Sequence, residues 1–268
     1  ILMINLNKRK KIEHPYPIFV VENIFDENFL TEIIYQFPKY ENFIKFKKTM
    51  VNRRFLSNDN PDFYDFIKKN IFWQKLYKEV NSQEFYDKIL NILVDANSEN
   101  FSNFSKLKLN QTFHKKNKLN YNLSFYIKEL TQKIPRNKIF NFLRFLSKKT
   151  LYKNYRSNEE FCYLRLDISS ASNGYFRNPH KDSDGTILAF LIYLEDQINI
   201  GGSGGEFVVH NQNMEIFKKF VPKKNQALFF LSNQNSFHSV SKIINANGWR
   251  KFIYGGYTST DKNIWTRK

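Results

Sequence analysis

After Glu160 the chain breaks into short runs of β-branched, aromatic and aliphatic residues separated by turn residues, and this punctuation restricts the folds open to it. The runs cover residues 161–169, 186–194, 206–210, 227–231, 237–243 and 250–257, with Gly201, Gly202, Gly204, Gly205, Gly255 and Gly256 between or within them. Strands this short and this closely spaced predict an antiparallel sandwich or barrel. No internal repeat accompanies them.

The preceding sequence predicts helices that support such a sheet. PYPIFVVENIF reads as a strand entered from a proline-bounded turn, and Asp26 can cap a helix whose Phe29, Leu30, Ile33, Ile34 and Phe37 form one apolar stripe ended by Pro38. A second helix can start at Asn60 and Pro61, and a longer helical region covers about 71–94. From 101 to 158 fourteen Lys or Arg residues, among them Lys106, Lys118, Arg136 and Lys149, face a single acid, Glu129. Apolar residues at helical spacing there (Leu123, Ile127 and Leu130, then Ile139, Phe142, Leu143 and Leu146) predict helices broken at Pro135. The expected organisation is therefore an N-terminal strand with supporting helices over 1–100, a basic helical insertion over 101–158, and a β-rich core over 159–268.

The formal charge of +17 has two readings. It suits an acidic partner such as RNA or another anion, which a basic field would concentrate, with the insertion as the docking face. Heavy use of Lys, Asn, Ile, Phe and Tyr would equally follow from an A- and T-rich coding sequence, and a charged helical face can simply be solvated. No apolar run reaches the length of a membrane span, and the first twenty residues lack the pattern of a secretory signal. The single cysteine, Cys162, forms no internal disulfide and reads as a small buried hydrophobe in a strand. A soluble cytoplasmic protein is expected.

The chemistry concentrates in NPHKDSDG. His180 and Asp182 are two residues apart, so on an extended segment their side chains point to the same side and can grip one ion. H-x-D alone is a weak pattern. Here it sits at the entrance to the apolar run TILAFLIYL, and His238 in NSFHSV offers a second imidazole, with Arg250 twelve residues further on. Two imidazoles and a carboxylate cover one face of an octahedron, an arrangement suited to iron(II) that must also bind a chelating cosubstrate and O2; zinc would favour a closed tetrahedron or one open position.

On these residues, together with Pro179, Tyr193 and Leu194, Gly204 to Phe207, Val221 and Pro222, Phe229 and Phe230, Ser239 and Val240, the stretch 160–258 resembles the 2-oxoglutarate and iron(II)-dependent oxygenases, in their prolyl 4-hydroxylase-like branch. The opening PYPIFVVENIFDENFLTEI resembles the entry strand and helix of that branch, while the basic insertion has no counterpart. The resemblance implies an α+β fold with a double-stranded β-helix (jelly-roll) core. It implies iron held by His180, Asp182 and His238, and Arg250 paired with the distal carboxylate of 2-oxoglutarate, a role for which a planar guanidinium is well shaped. It also places Tyr193 where relatives set a hydroxyl on the same carboxylate. The family often carries a tyrosine about ten residues before the first metal histidine, where Ser169 and Ser170 stand here. Tyr163, Arg165 and Tyr175 are the candidates to replace it or to bind substrate. Asn233 and Asn235 could be pocket groups or turn residues, and His210 reads as an ordinary strand-end histidine. The implied cofactors are Fe(II), 2-oxoglutarate and O2, with ascorbate as an optional addition. The implied reaction is hydroxylation of a C–H bond coupled to formation of succinate and CO2. Three classes of role follow: action on a protein or peptide side chain, action on a small molecule or sugar intermediate, or a non-catalytic jelly-roll binding module.

Overall fold

A computed structural model describes residues 3–39, 43, 52–95, 98–116, 160–196 and 201–266. The helical residues expected between Leu123 and Leu146, and the break at Pro135, lie outside these residues.

The N-terminal half supplies two strands, β1 (Arg9–Ile12) and β2 (Ile18–Glu22), helix α1 (Glu27–Tyr35), strand β3 (Arg53–Ser57), and helices α2 (Pro61–Lys69), α3 (Ile71–Val80), α4 (Gln83–Leu93) and α5 (Glu99–Ser105). The caps foreseen in the sequence form: Asp26 accepts from the Phe29 amide at 2.8 Å, and Asn60 accepts from the Asp62 amide at 3.0 Å with Pro61 in the first turn. The helical region over 71–94 divides at Asn81 and Ser82, because the Ser82 hydroxyl caps a new helix by accepting from the Phe85 amide.

After β4 (Lys108–Leu109) and the short α6 (Phe113–Lys116), the second half is almost wholly strand: β5 (Phe161–Ala171), β6 (Arg177–His180), β7 (Thr186–Tyr193), β8 (Phe207–His210), β9 (Ile216–Phe220), β10 (Gln226–Leu231), β11 (His238–Val240) and β12 (Arg250–Ser259). They form two sheets. The larger runs β1-β2-β10-β7-β12-β5-β3 with β4 parallel to β5, and the smaller runs β6-β11-β8-β9. This is an α+β jelly roll, open rather than a closed barrel.

Alternation along the strands builds two cores. Phe190 and Ile192 of β7, Phe229 of β10 and Ile253 of β12 face the helices with Leu30, Trp73, Phe85 and Leu90. Their neighbours Leu191 and Tyr193, Leu228 and Phe230, and Phe252 face the smaller sheet, meeting Phe207 and Val209 there. Strand β7 is buried at all eight positions, so the apolar run that follows the His180–Asp182 pair is a central strand covered on both faces. Cys162 is fully buried on the helix side, as its reading as a small hydrophobe required. Residues Phe104 and Leu107, at the start of the expected insertion, pack into the same helix-side core. No helix among the described residues is long and apolar enough to cross a membrane.

Candidate metal centre

The site lies between the sheets, where β6 meets β11. His180 ends β6 and pairs directly with His238, the first residue of β11, which places the ring centroids 4.4 Å apart. Asp182 follows two residues after His180, and its Oδ1 lies 4.0 Å from His238 Nε2. One ligand atom from each of the three side chains falls within 4.8 Å of the others, so the trio expected from spacing does converge in space.

Each imidazole is oriented by its own backbone. His180 Nδ1 is 2.8 Å from the Asn178 carbonyl oxygen and His238 Nδ1 is 2.9 Å from that of Ser236. A carbonyl can only accept, so Nδ1 donates in both rings and the lone pair sits on Nε2. Burial lowers the pKa of His238 to about 4; the Asp182 carboxylate opposes that shift, and His180 and Arg177 add to it. His180 is lowered by the same leading cause. Both rings are therefore neutral near pH 7, the state that can donate to a metal. Phe207 stacks on His238 at 5.3 Å and Phe230 meets it edge-on at 5.0 Å, which holds the ring and keeps water from one side. Asp182 Oδ1 accepts from the Tyr254 hydroxyl at 3.4 Å, whereas Oδ2 is buried with no hydrogen-bond partner among the described residues. A buried carboxylate oxygen left in that state is costly, and a cation between it and two neutral imidazoles would remove the cost. The residues present fit iron(II) in a two-histidine, one-carboxylate set.

Arg250 opens β12 and is 2% exposed, with Nη1 donating to the Gly205 carbonyl at 3.1 Å. Its guanidinium carbon lies 5.4 Å from the Tyr193 ring centroid, and Tyr175 lines the same cavity. Burial pushes the Tyr193 phenol up to about 12, with Arg250 opposing, so the hydroxyl stays protonated as a donor. Gly204 and Gly205 shape this end of the site. Both have positive φ, and a Cβ on Gly204 would lie 1.9 Å from the Lys242 carbonyl oxygen. Gly204→Ala is therefore expected to cost about 1–3 kcal/mol of stability through backbone strain, visible as a lowered thermal midpoint; an unchanged midpoint would mean the turn relaxes freely.

The other expected site residues divide. Arg165 lines the cavity. Tyr163 is not among the lining residues: it stacks on Phe113 at 4.0 Å and meets His114 edge-on. Asn233 accepts from the Asn235 amide and belongs to a turn, and His210 bridges Ser239 Oγ and the Met214 carbonyl at its strand end. Four polar or charged lining residues escaped the sequence reading: Arg53, Asp167, Arg177 and Tyr254. Tyr254 carried a usable signal, since it lies four residues after Arg250 on one strand and so on the same face. Asp167, a lone acid in an apolar strand, carried another.

With that geometry in place, residues 166–259 match the model of the 2OG-Fe(II) oxygenase superfamily. The matched stretch is similar to a 2OG-Fe(II) oxygenase domain. It contains both histidines, Asp182 and Arg250, and ends with β12. No curated protein matches the chain. Solved structures similar to the chain include a Burkholderia pseudomallei oxidoreductase of the 2OG-Fe(II) oxygenase family, at 20% identity over 43% of this chain with a TM-score of 0.30; the match spans 50% of that protein's length. They also include a Trichoplax adhaerens prolyl hydroxylase in complex with a hypoxia inducible factor peptide fragment, at 12% identity over 94% of this chain and 87% of that one, with a TM-score of 0.44. A Pseudomonas putida prolyl-4-hydroxylase is similar at 11% identity over 90% and 91%, with a TM-score of 0.41.

Proposed function

We propose that the chain is an iron(II)- and 2-oxoglutarate-dependent dioxygenase that hydroxylates a C–H bond of a protein or peptide side chain, as the resemblance to the prolyl 4-hydroxylase-like branch suggests, with residues 101–158 as an insertion in its catalytic domain. The observation that carries the reaction type is one cavity lined by His180, Asp182, His238 and the buried Arg250. Bound iron and 2-oxoglutarate would supply O2 activation, coupled to conversion of 2-oxoglutarate to succinate and CO2.

The chain's own residues have narrower tasks. Tyr254 fixes the Asp182 carboxylate, Phe207 and Phe230 hold His238 in an apolar wall, and Arg250 with Tyr193 and Tyr175 offers donors to a carboxylate at the far end. The preference for a side chain over a whole small molecule rests on room. The cavity holds about 140 Å³, close to the roughly 150 Å³ of an engineered cavity that takes one benzene. Space of that order suits the cosubstrate and leaves the body of the substrate outside.

Anaerobic addition of iron(II) and 2-oxoglutarate should give a weak visible charge-transfer band in the wild-type protein. Arg250→Gln should raise the 2-oxoglutarate concentration needed to saturate that band by about tenfold to a hundredfold, the worth of one lost charged pair. Absence of the band in wild type would defeat the enzyme reading, and an unshifted curve in the variant would remove Arg250 from the anchor role.

A further inference from the structure

Beyond the iron triad and Arg250, the cavity is more positive than the reaction requires. Its lining carries four guanidinium groups, Arg53, Arg165, Arg177 and Arg250, against two carboxylates, Asp167 and Asp182. Iron(II) and a 2-oxoglutarate dianion cancel each other in charge, so with both bound the lining itself keeps a surplus of two positive charges, which Asp59 near Arg165 and Glu206 near Arg250 offset only from outside the cavity. Such an excess is unfavourable unless an anion arrives to meet it.

The two charges can be located. Asp167 is fully buried and accepts from Arg165 Nη2 at 3.0 Å, from Arg165 Nε at 3.3 Å and from Arg53 Nη2 at 3.1 Å. Arg53 is itself buried, with Nη2 also donating to Ser169 Oγ at 2.9 Å, and serves as an internal brace. One carboxylate shared by two guanidiniums leaves one charge over, and the exposed partner is Arg165, whose side chain is 45% exposed. Arg177 is the other. It is half-buried on β6, three residues before His180, and its side chain forms no ion pair or hydrogen bond among the described residues. It lines the same cavity as His180, Asp182 and His238, which places its guanidinium beside the three converging ligands. A guanidinium held beside a metal centre with no counter-charge is poorly explained by stability and well explained by a ligand.

We infer that Arg177 and Arg165 form an anion subsite at the cavity mouth that takes a carboxylate or phosphate group of the substrate, separate from the Arg250 anchor. The inference rests on the oxygenase reading and extends it: the peptide that enters carries an acidic or phosphorylated residue beside the one that reacts. Guanidinium forks match both oxyanions, so the substrate's sequence decides which is met.

The test uses the full chain loaded anaerobically with iron(II) and 2-oxoglutarate, and three pools of blocked random octapeptides with a fixed Glu, phosphoserine or Gln at one central position. Retention is read by ultrafiltration and mass spectrometry. The Glu or phosphoserine pool should be retained about tenfold over the Gln pool, and Arg177→Gln should erase that preference while leaving the charge-transfer band intact. Arg177→Lys should restore part of it. Retention of Glu over phosphoserine identifies a carboxylate, and the reverse a phosphate. If the band forms and all three pools bind alike, or if Arg177→Gln keeps the preference, the subsite is refuted and the oxygenase reading stands. If wild type gives no band, the oxygenase reading fails and the subsite falls with it.

Discussion

Asp182→Ala is expected to abolish iron binding and, with it, the charge-transfer band and all succinate release. Two neutral imidazoles alone bind iron(II) weakly, and the carboxylate supplies the only negative charge among the three converging ligands. The variant should fold, because Asp182 is partly exposed and its one side-chain hydrogen bond among the described residues, from Tyr254, is long at 3.4 Å. Removing it also relieves the buried Oδ2 that has no partner among the described residues. Loss of metal with an unchanged or slightly raised thermal midpoint of the metal-free protein is therefore the specific signature. Retention of the band in the variant would show that the metal sits elsewhere, and a collapse of the fold would show that Asp182 serves structure instead. Tyr254→Phe, which frees the carboxylate without removing it, should weaken iron binding only modestly, by about tenfold or less.

Some of this site could be read from the sequence because it obeys short-range rules. The period of two along a strand put His180 and Asp182 on one side, and the same period ties Arg250 to Tyr254. The partner strand of His238 could be expected but its register could not, since nothing local dictates that His238 meets His180 rather than a neighbour. Tyr163 shows the limit of parity. It shares a face with Arg165 and Asp167 but lies two residues further along β5, roughly 7 Å at strand spacing, where Phe113 covers it. Arg53 was beyond reach for another reason. Its hydrogen bond to Asp167 joins residues 114 apart, through an edge strand whose RRFLS lacks the regular alternation that would have marked it. The helix caps at Asp26 and Asn60 were legible because capping is decided by three or four adjacent residues. The basic stretch, which raised the possibility of an acidic or RNA-containing partner, lies mostly outside the described residues, so its charge informs the fold little.

Asp167→Asn is expected to be the most destabilising substitution near the site, at about 3–5 kcal/mol near neutral pH. The residue is fully buried between Arg53 and Arg165, and amide for carboxylate leaves two guanidiniums without the charge that justified their burial. Most of the cost falls on Arg53, which is itself buried; Arg165, being half exposed, recovers solvent and contributes less. Burial raises the Asp167 pKa, and Arg165 and Arg53 more than offset it, so the folded-state value lies below the ordinary one. A depressed carboxyl pKa stabilises the fold at pH above its unfolded value, and that stability is lost as pH falls through the folded value. The gap between wild type and variant in urea midpoint should accordingly stay constant down to the ordinary value of 3.8 and narrow only below it. Combining the change with Arg53→Met should recover much of the loss, because an apolar chain of similar length needs no counter-charge. A gap under about 1 kcal/mol, or one that closes well above pH 3.8, would show that Asp167 is not held ionised by these two arginines. The brace would then no longer explain how Arg165 is presented to the cavity, and the anion subsite would rest on Arg177 alone.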